Sequence, residues 1–328
     1  DIAAVAAMTG YRVTLQDISA DAIEAAIVRA GTLYERRLKD PKKVGAAMAR
    51  LTADPGGDGL ATADLLIEAV AENLEIKQAV FADAEKRMKP DAILATNTSA
   101  IPLEEIGAAL AAPDRLIGMH FFNPVPVLPL VEIVYTDASR PDFVDRAMYV
   151  CGAMKKLPIR CKSAAGFLVN RALLPYLFKA IDVMLDGADP DMLDEALVRF
   201  GMPMGPIELC DQVGLDVCLG AGQVIGMSDR VEQTLTGMIE AGTLGRKSGS
   251  GFYDWDGKKA VRARAAHDGV DLDAVAADLL APLVAECRDA VAEGVVDSAD
   301  MADAACIFGV GFPAFRGGPL FWAESRTV

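Results

Sequence analysis

A chain of 328 residues is long enough for two or three domains and a large core. Its hydrophobic content of 52% with only 6% aromatic side chains favours helices and buried parallel strands over a β-sandwich. A net charge of −15 excludes the broad basic surface that nucleic-acid binding needs, although a small anionic ligand requires only local donors.

The six cysteines are Cys151, Cys161, Cys210, Cys218, Cys287 and Cys306. None is spaced as C-x-x-C and only two histidines are present, so no zinc site is expected. The thiols read as reduced and mostly buried, as in a cytoplasmic protein. No apolar run reaches the roughly 18 residues needed to span a bilayer. The chain opens with Asp1 inside a helical pattern, and no signal peptide is expected.

Residues 1–9 read as the remainder of a helix, and YRVTLQD (11–17) as a strand closed by Asp17. In a dinucleotide-binding fold, an acidic residue at the end of the second strand bonds the adenosine ribose and repels a 2′-phosphate. The strand and G-x-G-x-x-G turn that should come before it would sit upstream of Asp1; the sequence itself contains no such turn. One long helical pattern follows from about Ala20 to Leu51. Within it, YERRLKDPKK (34–43) holds five basic residues and two acidic ones, a local exception that could attract phosphates or simply be a solvated helix end.

DLLIEAV (64–70), AILATN (92–97), RLIGMHFF (115–122), LVEIVYT (130–136) and LPIRC (157–161) read as strands. Helices are expected over 73–88, 102–110 and 141–155. Apolar strands alternating with helices predict a parallel sheet covered on both faces. His120 ends one strand, a proline-rich turn follows from Asn123, and Glu132 lies on the strand leaving it. Imidazole can take a hydroxyl proton near neutral pH, and a carboxylate can orient it. The residues alone equally admit a hydrogen-bonded structural histidine.

From Gly166 onward the pattern is helical, apart from GFYDW (251–255) and a basic stretch near 258–264. Boundaries are placed near Ala164 and Lys259. A repeat runs through this half. Pro175 precedes Gly187 by twelve residues, as Pro282 precedes Gly294. DMLDEALVRFG (191–201) resembles DMADAACIFG (300–309), one residue shorter, and GPIEL (205–209) resembles GPLFW (318–322). Duplication of one helical unit predicts matching helix order, with the two copies packed by a pseudo-twofold. His267, in AAHDG, reads as a surface loop residue.

EAVAENLEIK, NTSAI, HFFNPV, GFLVNR and MGPIEL occur in an order that resembles the 3-hydroxyacyl-CoA dehydrogenase family over nearly the whole chain. LPLVEIV and GFPAFRGGPLFW look most like the dehydrogenase part of multifunctional fatty-acid β-oxidation enzymes. The resemblance implies an α/β fold: a Rossmann-type NAD-binding domain over 1–163, then duplicated all-α C-terminal domains over 164–259 and, truncated, 260–328. It implies NAD-dependent oxidation of (S)-3-hydroxyacyl-CoA to 3-ketoacyl-CoA, with an enoyl-CoA hydratase domain in the full-length chain and a thiolase partner. Carried over residue by residue, His120 would be the general base and Glu132 its partner. Ser99 would bond the substrate oxygen and approach the nicotinamide, and Asn170 would donate to the substrate. Asp17, Val70, Ala71, Glu72, Lys77, Asn123 and Lys247 would contact the cofactor. Trp322 stands where these enzymes usually have a substrate-contacting tyrosine. A 3-hydroxyisobutyrate-type dehydrogenase, which would use a lysine, and an inactive acyl-CoA-binding relative are the rival readings.

Overall fold

The structure is a computed structural model that describes residues 1–263 and 267–326. Arg264, the end of the basic stretch, and the last two residues of the second repeat copy lie outside the described residues. The chain divides into two compact units, Asp1–Thr98 with Pro102–Ser163, and Ser99–Ile101 with Ala164–Val328. The main division falls between Ser163 and Ala164. The two segments separated at Lys259 in the sequence fall within a single unit.

The first unit begins with α1 (Ile2–Met8) and β1 (Val13–Leu15). The expected helix from Ala20 to Leu51 is in fact α2 (Ala20–Leu38), α3 (Pro41–Met48) and the strand β2 (Leu51–Ala53), which pairs parallel with β1. The break has a local cause. Lys39 ends α2 in the left-handed conformation, Asp40 caps α3 through the Lys42 amide, and Pro41 takes its first position.

The main sheet has the order β3 (Leu65–Glu68), β4 (Ile93–Thr96), β5 (Leu116–Phe121), β6 (Leu130–Tyr135), β7 (Leu157–Lys162). It is mixed, not parallel throughout, because β6 runs antiparallel to β5. Crossovers through α4 (Leu74–Arg87), α5 (Leu103–Gly107) and α6 (Pro141–Ala153) make the other pairs parallel. Only eight residues separate β5 from β6, too few for the dozen or more of a parallel crossover. β4 and β5 are buried along their whole length, so both faces are covered as predicted. The β1–β2 pair has no ladder to the main sheet, yet Val13 and Leu65 pack on the same apolar core as Ile117, Met119 and Ile133.

The second unit carries the repeat. In the first copy α7 (Val169–Leu185), α8 (Pro190–Phe200) and α9 (Pro206–Val213) are followed by α10 (Leu215–Ile225) and α11 (Asp229–Glu240). The short hairpin β8 (Asp254–Asp256) and β9 (Lys259–Val261) comes next, so only the end of GFYDW is strand. The second copy is α12 (Leu272–Ala292), α13 (Ala299–Ala305) and α14 (Pro319–Ser325), in the same order. Pro175 and Pro282 both sit inside the long helix of their copy.

The smallest details repeat too. Asp194 accepts from the Ile207 and Glu208 amides at the start of α9, and Asp303 accepts from Leu320 and Phe321 at the start of α14. Each carboxylate caps the next helix from outside, where the macrodipole favours an anion. This requires glycine at the helix entrance. A Cβ at Gly205 would fall 2.2 Å from Asp194, and one at Gly318 2.3 Å from Asp303.

One register is corrected. The residue matching the helix-ending Gly201 is Gly311, not Gly309, since both are left-handed C-caps followed by an apolar residue and proline. The second copy is thus one residue longer between its aspartate and that glycine. A π-turn at Cys306–Val310 absorbs the extra residue. A Cβ at Gly201 would come 3.0 Å from Pro313, and one at Gly311 2.9 Å from Pro203. Reciprocal contacts of this kind are the mark of twofold packing, here within one chain.

Candidate active site

His120 and Glu132 are direct partners on one rung of the β5–β6 ladder. Side chains opposite each other on an antiparallel pair project to the same face. His120 Nδ1 and Glu132 Oε2 accordingly lie 2.7 Å apart, with His120 3% exposed and Glu132 fully buried. The His120 ring also tilts against Phe122 at 4.5 Å between centroids. An imidazole whose Nδ1–H is given to a carboxylate keeps its Nε2 lone pair for a proton. The β5 end is fastened sideways as well, because Asn97 at the end of β4 accepts from the Phe121 amide at 2.9 Å.

Around the ends of β3 and β4 lies a polar network that the sequence reading missed. Glu68, the last residue of β3, is buried and accepts from Lys77 Nζ at 2.9 Å, Thr96 Oγ1 at 2.7 Å and the Val70 amide at 2.7 Å. Lys77 is 1% exposed and also pairs with Glu72 at 3.1 Å, while Thr98 Oγ1 donates to Glu72 at 2.5 Å. Lys77 is therefore not a solvated helix lysine, but its ammonium is held by two carboxylates. Val70, Ala71 and Glu72 are exposed at the strand end. A glutamate inside the apolar run LLIEAV was the available signal, since a buried carboxylate needs donors.

Asp17 is exposed just beyond β1, and its Oδ1 accepts from the Ser19 amide at 2.9 Å. Asn123 is exposed after β5. These residues fit a dinucleotide at two places. An outward carboxylate after β1 suits ribose hydroxyls, and open backbone at the ends of β3 and β5 suits the rest of the cofactor. The residues that would hold NAD are thus Asp17, Val70, Ala71, Glu72 and Asn123.

The second unit brings together two further predicted residues. Asn170, at the start of α7, donates from Nδ2 to the Ser99 carbonyl at 3.0 Å. Ser99 is exposed and Asn170 half-buried. Lys247, in a short turn after α11, is ion-paired with Asp216. Trp322 is mostly buried, edge-on to Phe200 at 5.0 Å and close to Phe312 at 6.2 Å, so its ring is used in packing the two repeat copies. His267 Nε2 lies 3.9 Å from Glu195 and far down the chain from this chemistry.

All six cysteines are free and buried, as expected, and burial pushes the Cys151 thiol up to about 12. Among the described residues no cluster could hold a metal ion, and no helix is long and apolar enough to cross a membrane.

Residues 1–164 match the family model for the 3-hydroxyacyl-CoA dehydrogenase NAD binding domain, and residues 166–255 that for the C-terminal domain. The chain is 36% identical to the fatty acid oxidation complex subunit alpha of Acinetobacter baylyi, over 100% of this chain and 49% of that protein. It thus spans about half the length of the curated relatives it matches. Among solved structures, FadB2 of M. tuberculosis shares 36% identity with a TM-score of 0.73, over 78% of this chain and 94% of that one. The 3-hydroxybutyryl-CoA dehydrogenase of Escherichia coli shares 28% identity with a TM-score of 0.86, over 99% of this chain and 88% of that one.

Proposed function

The chain belongs to the 3-hydroxyacyl-CoA dehydrogenase family, and on that premise we propose that it oxidises (S)-3-hydroxyacyl-CoA to 3-ketoacyl-CoA with NAD, within fatty-acid β-oxidation. The observation that carries this reading is the buried His120–Glu132 pair. NAD, when bound, supplies the hydride acceptor. His120 Nε2 takes the proton of the substrate hydroxyl as the C3–H electron pair departs and the C3–O bond becomes a carbonyl. Glu132 holds the ring in the tautomer that leaves Nε2 basic and stabilises the imidazolium that forms. In the reverse direction the same imidazolium returns the proton.

Ser99 and Asn170 are proposed as donors to the substrate oxygens, where charge develops during the step. Asp17 is proposed to select NAD over NADP by repelling a 2′-phosphate. The name of the Acinetobacter relative supports a place in a fatty-acid oxidation complex; a hydratase domain in the same polypeptide and a thiolase partner are proposed from the sequence resemblance alone. Six buried thiols, with no candidate membrane span among the described residues, support a cytoplasmic setting.

The test is NADH consumption with acetoacetyl-CoA by the protein expressed from its complete reading frame. Turnover that His120→Gln abolishes supports the reading. Absence of turnover in the wild type, with NADH bound, sinks it.

A further inference from the structure

The connection between His120 and Glu132 is held in an unusual way. Residues 122–129 contain Pro124, Pro126 and Pro129, so the segment is poor in amide donors for its own carbonyls. The Val127 and Leu128 amides both go to the Pro124 carbonyl. The Pro129 carbonyl accepts from the Leu157 amide at 2.8 Å. Three further carbonyls are met by cations. Lys156 Nζ donates to the Val125 carbonyl and, at 2.7 Å, to the Leu128 carbonyl. Arg37 donates from Nη2 to the Pro126 carbonyl at 3.0 Å.

Lys156 is the more telling of the two. It follows α6, is 7% exposed, and among the described residues makes no ion pair. Burying an ammonium without a carboxylate is expensive. Burial indeed lowers its proton affinity, and Arg37 adds to the effect. An apolar residue would fill the same space without that cost, but it would leave one buried and one part-buried carbonyl without this donor. The charge is spent on the loop, and the loop closes the ladder one residue beyond His120.

We propose that Lys156 and Arg37 are positioning residues for the dehydrogenase reaction, clamping loop 122–129 so that His120 and Glu132 remain on the same rung. The proposal rests on the reading of His120 as general base. Hairpin register is set by the connecting loop, and a slip of one residue would turn one partner to the other face. A proton acceptor moved by about 1 Å can lose on the order of 10²-fold in rate.

The experiment compares Lys156→Met, Arg37→Met and Arg37→Lys with wild type in three readouts: kcat, KM, and exchange of the His120 imidazole N–H by NMR. The chain has only two histidines, so that signal can be assigned with a single His267 variant. Lys156→Met is expected to lower kcat by about 10- to 100-fold while KM for acetoacetyl-CoA and NADH moves less than about threefold. The His120 N–H should lose protection in parallel. Arg37→Met should lower kcat by about threefold, and Arg37→Lys, which still reaches a carbonyl, should restore it. Unchanged kcat in Lys156→Met overturns the proposal, as does a fall in kcat with His120 N–H protection intact. Should Lys156→Met not fold, the exposed Arg37 pair decides: no loss in Arg37→Met, or no rescue in Arg37→Lys, overturns it. A wild-type protein that binds NADH but turns over nothing refutes the dehydrogenase reading itself, a result distinct from active variants.

Discussion

His120 Nδ1 meets Glu132 Oε2 at 2.7 Å across a single antiparallel rung, inside a sheet that is otherwise parallel on both sides of that rung. The one reversal of strand direction is what puts an imidazole and a carboxylate twelve residues apart on the same face. His120→Gln keeps a polar side chain but no proton acceptor of suitable basicity. Its kcat in acetoacetyl-CoA reduction is expected to fall by at least about 10²-fold with NADH binding retained. Stopped-flow NADH oxidation with a parallel NADH titration checks both halves; turnover at the wild-type rate refutes the assignment.

Glu132 acts through His120. In a double-mutant cycle, Glu132→Gln should lower kcat substantially in the wild-type background and by less than about threefold once His120 is already glutamine. Fully additive losses in the cycle would mean that the two residues act independently.

Asp17 is exposed after β1, with one carboxylate oxygen committed to the Ser19 amide. Asp17→Ala should weaken NADH and narrow the preference over NADPH, since both the ribose acceptor and the repulsion of a 2′-phosphate are lost. The ratio of the two dissociation constants, measured by fluorescence, is the readout. A ratio that does not move rules Asp17 out as the ribose ligand.

Asp194 gives the second unit a pH signature. Burial pushes its carboxyl from the usual 3.8 up to about 6, although Arg262, the Ile207 and Glu208 amides and the Tyr253 hydroxyl favour the ionised form. A carboxyl with a raised folded-state value contributes stability that is complete below 3.8 and is lost as pH rises toward about 6. The contribution is at most about 3 kcal/mol. The difference in melting temperature between wild type and Asp194→Asn should therefore shift against the wild type from pH ~4 to ~6. A flat difference over that window, or one moving the other way, contradicts the prediction.

The two repeat copies carry opposite charges at equivalent places. Arg171 pairs with Glu286 at 2.9 Å, and Lys179 pairs with Asp278 at 3.3 Å. Position 278 corresponds to 171 and position 286 to 179, so one pair is the other with its signs exchanged. Arg171 also reaches Glu293 at 2.6 Å. Arg171→Glu should cost about 1–3 kcal/mol in urea unfolding, and much of it should return when Glu286 and Glu293 are both changed to arginine. With α12 packed along α7 inside the chain, that face is also expected to be closed to a second subunit, which sedimentation of the protein can check.

The sequence by itself was enough for the alternation of strands and helices, the burial of the cysteines and the helical duplication. Each rests on local signals: apolar runs, turn residues, and proline and glycine at repeated spacings. His120 and Glu132 were also named from the chain, but whether they touched was open. That depended on β6 running antiparallel, which follows from a connection too short to cross over. The break at Lys39–Pro41 was legible in hindsight, because Asp-Pro is a helix entrance, yet the helical periodicity on either side masked it. The pairing of Glu68 with Lys77, beyond the hint of a glutamate in an apolar run, was not legible, nor were Lys156 over the loop carbonyls and the exchanged signs of the two copies. Each joins residues from different elements, and a buried charge looks like a surface charge in sequence until packing removes its water. Only the tertiary structure decided which charges were enclosed, because only there does desolvation oblige each one to find a partner.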